Sequence, residues 1–204
     1  MSFTSRSVVT VKKGHEITSL QGQPLEHGDR LLIESKTPDA ISLCFYRGGD
    51  FHNVQFDLSG THSPLPLMAS SPLPVPAELE GWSVRECTVL SELSQETLNY
   101  QMTLAYEGLP AVHAKNSGHG GADFIIGIGT RGSKHKLLDA LQQLFSRIKS
   151  EGLLSPEDAA LIEANDELFM EVFIEPLRRG YYLIHPLGQC VAIVARNVAA
   201  AMRQ

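Results

Sequence analysis

The chain has 204 residues (22.3 kDa), 43% of them apolar and 20% charged, with a net charge of −6 and an isoelectric point near 5.7. That is enough apolar material to pack a core without metal or disulfide staples, and the acidic balance speaks against a general affinity for nucleic acid. No apolar run approaches the length of a membrane span, and the start Met1-Ser2-Phe3-Thr4-Ser5-Arg6 has no apolar stretch behind a basic head, so neither a transmembrane helix nor a secretory signal is expected.

The three cysteines, Cys44, Cys87 and Cys190, are far apart and form no C-x-x-C, which predicts a reducing, cytoplasmic setting without a disulfide framework or a zinc knuckle. Residues 1–60 read as all-β. Val8, Val9 and Val11 open a strand, residues 31–33 and 41–46 form two more, and Val54, Phe56 and Leu58 alternate with polar neighbours. Gly14, Gly22, Gly28-Asp29, Pro38-Asp39 and Gly48-Gly49-Asp50 supply turns at short intervals, the punctuation of a small barrel or sandwich. Residues 61–76 then hold five of the eleven prolines, which bar both a helix and a central strand, so this stretch is expected to run extended as a linker.

Beyond the linker, residues 83–90 read as a strand, and Leu98, Tyr100, Met102, Leu104 and Tyr106 alternate strictly, as in a strand with one buried face. Glu107-Gly108 turns the chain into a returning strand at 111–114, and residues 124–128 follow as a third. Leu137, Leu138, Leu141, Leu144, Phe145 and Ile148 make one apolar stripe of a helix. A second helix starts at Ser155-Pro156-Glu157-Asp158 and buries Leu161, Ile162, Leu168, Phe169, Val172 and Phe173, with Pro176 and Gly180 at its end. Residues 181–184 and 190–195 look like strands about a Pro186-Leu187-Gly188 turn, before a short helix at 196–203. The fold class expected is therefore α+β. An all-β barrel or sandwich spans 1–60 and a proline-rich linker 61–80. An α+β domain, an antiparallel hairpin sheet with two amphipathic helices, spans 81–204.

Several motifs fail on their chemistry. Gly127-Ile128-Gly129-Thr130-Arg131-Gly132 spells G-x-G-x-x-G, yet no strand ending in an acid follows the helix, as a dinucleotide site needs. Ser133-Lys134 reverses the Lys-Ser order of a P-loop. What survives is an anion-holding set: Arg131, Lys134 and Lys136 at a helix start, beside the glycine-rich loop of Asn116, Gly118, Gly120 and Gly121, whose backbone N–H groups suit a nest. His119 in that loop is the candidate acid, base or ligand; the bland alternative is a tight positive-φ turn with His119 exposed. His113, His119, Asp123 and His135 match no metal-ligand spacing, so no metal and no cofactor is expected. A hairpin, a third strand and Gly132-Ser133-Lys134-His135-Lys136 also resemble the C-terminal part of a double-stranded RNA-binding domain, whose first helix would fall at residues 90–97. Residues 151–175 hold eight acids and no base, against five bases and Asp139 alone at 131–149. Either the two helices pair these charges, or Glu163, Asp166 and Glu167 form an acidic face for a partner.

Leu93, Ser94, Glu96, Thr97, Gly108, Asn116, Gly118, Gly120 and Gly121 spell L-S-x-E-T, a turn glycine and N-x-G-x-G-G. This stretch, 93–121, resembles an uncharacterised family of small proteins encoded by phages, prophages and plasmids. The resemblance implies a mobile-element context and no particular activity. The function expected is that of a non-enzymatic accessory protein, counter-defence or regulatory, that binds a host or element protein. The alternatives are a phosphate- or nucleotide-binding domain or hydrolase built on residues 116–135, and an RNA- or DNA-binding module. Membrane association is not expected, and the oligomeric state is left open.

Overall fold

The computed structural model describes residues 8–15, 17–19, 22, 24–58, 68–70, 76–94, 98–119 and 123–203. The chain divides into two compact units, one drawn from Met1–Pro74 and Gly180–His185, the other from Val75–Arg179 and Pro186–Gln204. Helices and antiparallel sheets are both present, so the class is α+β.

In the first unit, β1 (Val8–Val11), β4 (Arg30–Lys36), β5 (Ala40–Arg47), β6 (Asp50–Asp57) and β7 (Met68–Ser70) form an antiparallel sheet in the order β6-β5-β4-β1-β7. β2 (Ile17–Thr18) and β3 (Pro24–Leu25) pair separately. Gly48 and Gly49, at φ of 65° and 99°, make the two-residue turn that twists β5 into β6. Val9, Leu31, Phe45, Leu43, Val54 and their neighbours point to one face, where Ile17 and Leu25 close the core. Among the described residues the large sheet does not close into a barrel; it shares its core with the small β2–β3 pair, in the manner of a sandwich. On the opposite face, Tyr181 stacks on Phe51 and His185 on Tyr46, with ring centroids 3.8 and 3.7 Å apart.

Most of the proline-rich stretch lies outside the described residues. Within it, Met68–Ser70 runs extended and pairs with β1 as an edge strand. No proline falls within those three residues, and the edge position leaves one side of the strand without a ladder to satisfy.

The second unit is a meander of β8 (Trp82–Val89), β9 (Tyr100–Tyr106), β10 (Leu109–Asn116) and β11 (Phe124–Gly127), in that spatial order. Four helices follow: α1 (Ser133–Ser150), α2 (Pro156–Glu163), α3 (Asp166–Arg179) and α4 (Leu187–Met202). α1 packs on β10 and β11, and α3 on β8; α4 packs against all three other helices. A 3-10 turn at Ala77–Leu79 is tied to α1 by Glu78, whose two carboxylate oxygens accept from Arg147 Nε (2.5 Å) and Nη2 (3.2 Å).

Two expectations are corrected here. The second helix is two helices, because Asn165 ends α2 and caps α3 by accepting the Leu168 N–H at its Oδ1 (3.0 Å). The strands expected at 181–184 and 190–195 are a 3-10 turn (Tyr181–Leu183) and the first half of α4. Buried against three helices, α4 shows apolar residues on most of its faces, and such a segment is indistinguishable from a buried strand by periodicity. The first helix of the RNA-binding-domain reading is only the 3-10 turn Ser91–Leu93 among the described residues.

Candidate functional site

The residues of the L-S-x-E-T and N-x-G signature are knitted together by side-chain to backbone bonds. Ser94 Oγ donates to the Leu90 carbonyl (3.2 Å) and accepts the Asn99 N–H (2.8 Å). Asn99 Nδ2 donates to the Ser117 carbonyl (2.9 Å). Asn116 Oδ1 accepts the Gly118 N–H (3.0 Å), and its Nδ2 donates to Asp123 Oδ1 (3.2 Å). Gly118 has φ 83°, and a Cβ there would lie 2.8 Å from the Leu93 carbonyl oxygen, so only glycine fits. The Gly118 N–H is thus taken up by Asn116 in an Asx turn rather than offered to an anion. His119 is exposed just beyond. Gly120 and Gly121, like Glu96 and Thr97, lie outside the described residues.

The basic residues of the helix start diverge. Arg131 is exposed in the turn before α1. Lys136 places Nζ 3.5 Å from the centre of the Tyr106 ring, in a groove with Trp82 and Asp139. Lys134 lines a different cavity. Gly129 explains the glycine-rich string in packing terms. A Cβ at this position would sit 2.6 Å from the Pro110 carbonyl oxygen, so the motif lets the chain cross β10 closely on its way into α1.

The cavity beside Lys134 is what the tertiary structure adds. It has a volume of about 520 Å³ and lies between β11, α1 and the α2–α3 corner. Its apolar lining comes from Phe124 and Ile125 of β11, Leu138 and Phe145 of α1, and Phe169 and Met170 of α3. Asp123, Lys134, Gln142, Glu163 and Asp166 supply its polar groups. Glu163 and Asp166 of the acidic face therefore share a cavity with Lys134, whereas Glu167 is exposed and outside the lining. Glu163 also accepts from Lys149 Nζ (2.7 Å), so part of the charge pairing between the helices is present; Asp166 and Glu167 make no ion pair with described residues.

Asp123 was visible in the sequence only as one member of a failed metal pattern. Burial pushes its carboxyl above the usual range, partly offset by Tyr100, Asn116 and Arg178, with Glu175 adding to the rise. Burial likewise raises Glu171, with the Asp123 and Glu175 charges adding to it. Tyr100, only 5% exposed, is pushed up by burial and then by Asp123. Its hydroxyl faces the Asp123 carboxyl. Neither Tyr100 nor Glu171 carries a local signal; only the pairing of Tyr100 with Asn116 across β9 and β10 brings the ring to this place.

An apolar floor rimmed by more carboxylates than ammonium groups suits an apolar group that carries a positive charge. No family model, no curated protein and no solved structure matches the chain.

Proposed function

We propose that this protein acts by binding another protein, as a non-enzymatic accessory factor of a mobile genetic element, and that the partner seats in the cavity between β11, α1 and α3. One observation carries this reading: an apolar cavity of about 520 Å³ whose polar rim is mainly acidic, formed by the same helices that hold the unbalanced acids of residues 151–175. The likeness of residues 93–121 to proteins of phages and plasmids supports the context, in which the partner is a host or element protein. The bonds of the Asn116 side chain to the Gly118 N–H and to Asp123 favour a loop that braces the cavity over one that holds a phosphate.

The test is affinity capture from a host lysate with the full chain and with a variant carrying Glu163→Lys, Asp166→Lys and Glu167→Lys. Proteins captured by the wild type are expected to be lost with the variant, while circular dichroism and the melting temperature stay close to those of the parent. Equal capture by a folded variant overturns the acidic surface as the binding site.

A further inference from the structure

The cavity borders the start of β11, at Phe124 and Ile125. That strand is the edge of the four-stranded sheet, paired with β10 alone among the described residues. The Ile128 N–H donates to the Ala111 carbonyl (2.9 Å), and antiparallel bonding alternates from there. Phe124 and Ile126 therefore direct their backbone groups at β10, and Ile125 and Gly127 direct theirs outward.

Edge strands of soluble proteins are ordinarily guarded by charges, prolines or a covering element. The opposite edge, β8, carries Arg85 and Glu86 on exposed positions. Between Phe124 and Ile128 there is neither a charge nor a proline, and Phe124, Ile126 and Ile128 are exposed to 56%, 42% and 49%. An unguarded edge beside an apolar cavity is the geometry that strand addition requires, with main-chain bonds for affinity and alternate side chains for specificity.

Resting on the protein-binding reading above, we infer that the partner docks as an extended segment that adds a fifth strand to the sheet at β11. Its alternate side chains would enter the cavity over Leu138, Phe145 and Phe169 on one side and cover Ile126 on the other. Charge complementarity fixes its chemistry: with Glu163 already paired to Lys149, Asp123 and Asp166 against Lys134 call for an apolar segment carrying a basic residue. The buried Tyr100 hydroxyl lies next to Asp123.

The experiment titrates the isotope-labelled full chain with a capped valine-rich peptide bearing one central lysine, followed by amide NMR. Three further peptides are compared: the central-glutamate counterpart, and the lysine peptide N-methylated at every second residue in each of the two phases. The lysine peptide is expected to shift the amides of residues 123–128, and the glutamate peptide to bind more weakly. N-methylation in one phase only should weaken binding roughly tenfold or more, since it removes the main-chain donors facing β11. Ile126→Lys, at an exposed position, is expected to abolish binding with the melting temperature kept.

Equal binding of both N-methylated peptides overturns strand addition while leaving a side-chain cavity for a protein partner. No binding by any peptide, with lysate capture still lost on charge reversal, overturns strand addition alone. A wild-type dimer that Ile126→Lys dissolves would mean a second copy covers the edge, and overturns the inference. Peptide binding at β11 with capture indifferent to charge reversal would instead remove the acidic surface from the proposed function.

Discussion

Asp123 shows how one side chain couples stability to the cavity. Its carboxyl is held above the ordinary range by burial, so the native state binds its proton more tightly than the unfolded chain does. Ionisation therefore costs stability as pH rises through the raised pKa, and the cost is absent below the unfolded value of about 3.9. Asp123→Asn keeps an oxygen to accept from Asn116 Nδ2 and removes the buried charge. It is expected to raise the melting temperature at pH 7, with the gain shrinking as pH is lowered toward 4. Melts of both proteins across that range check the sign; a gain that persists undiminished at low pH would refute the assignment. Glu78 runs the other way. The Arg147 hydrogen bonds hold it below its usual value, so its contribution is present above the unfolded glutamate pKa and is lost as pH falls through the lowered one.

At the scale of the element, α4 is the instructive case. Val191, Ile193, Val194 and Val198 favour strand by local preference, yet the segment is a helix because three helices surround it. Ala192, Ala195 and Ala199 are buried where those neighbours approach, which small side chains allow. Ala195→Leu, at a position with no exposed surface, is expected to cost about 1–3 kcal/mol by overpacking. Chemical denaturation measures it, and an unchanged midpoint would mean that the helices around α4 leave room for the larger side chain. The helices α1, α2 and α3 were legible to different degrees for the same reason. The stripe of α1 is one-sided and reads cleanly, whereas Asn165 breaks the second helix through a cap that an unbroken apolar pattern conceals.

At the scale of the whole molecule, the first unit takes part of its structure from a segment between α3 and α4. Tyr181 and His185 stack on Phe51 and Tyr46 of the β5–β6 hairpin, and a Cβ on Gly180 would lie 3.3 Å from Leu32. Tyr181 is buried, so Tyr181→Ala is expected to cost about 3 kcal/mol or more and to raise hydrogen exchange in β5 and β6. Unchanged protection in those strands would show that the segment contributes nothing to the unit. Residues 180–185 carried no sign of this attachment in the sequence, because an aromatic stack across the fold has no local period.

The division between what the chain states locally and what it leaves to packing is therefore a physical one. Alternation in β9, the stripe of α1, the Ser155-Pro156 start of α2 and the glycine turns between strands follow from short-range sterics and one-sided burial, so the sequence alone determined them, and with them the α+β class. The glycine-rich loop was equally visible, but its role was not. Whether its N–H groups serve an anion or the chain itself depends on where Asn116, Asn99 and Leu93 arrive, and they bond or crowd Gly118. The cavity was invisible for the same reason: Asp123, Lys134, Phe145, Asp166 and Phe169 come from three segments that only the fold brings together. Main-chain bonding and periodic burial are properties of neighbours in sequence, whereas a cavity and its field are properties of neighbours in space.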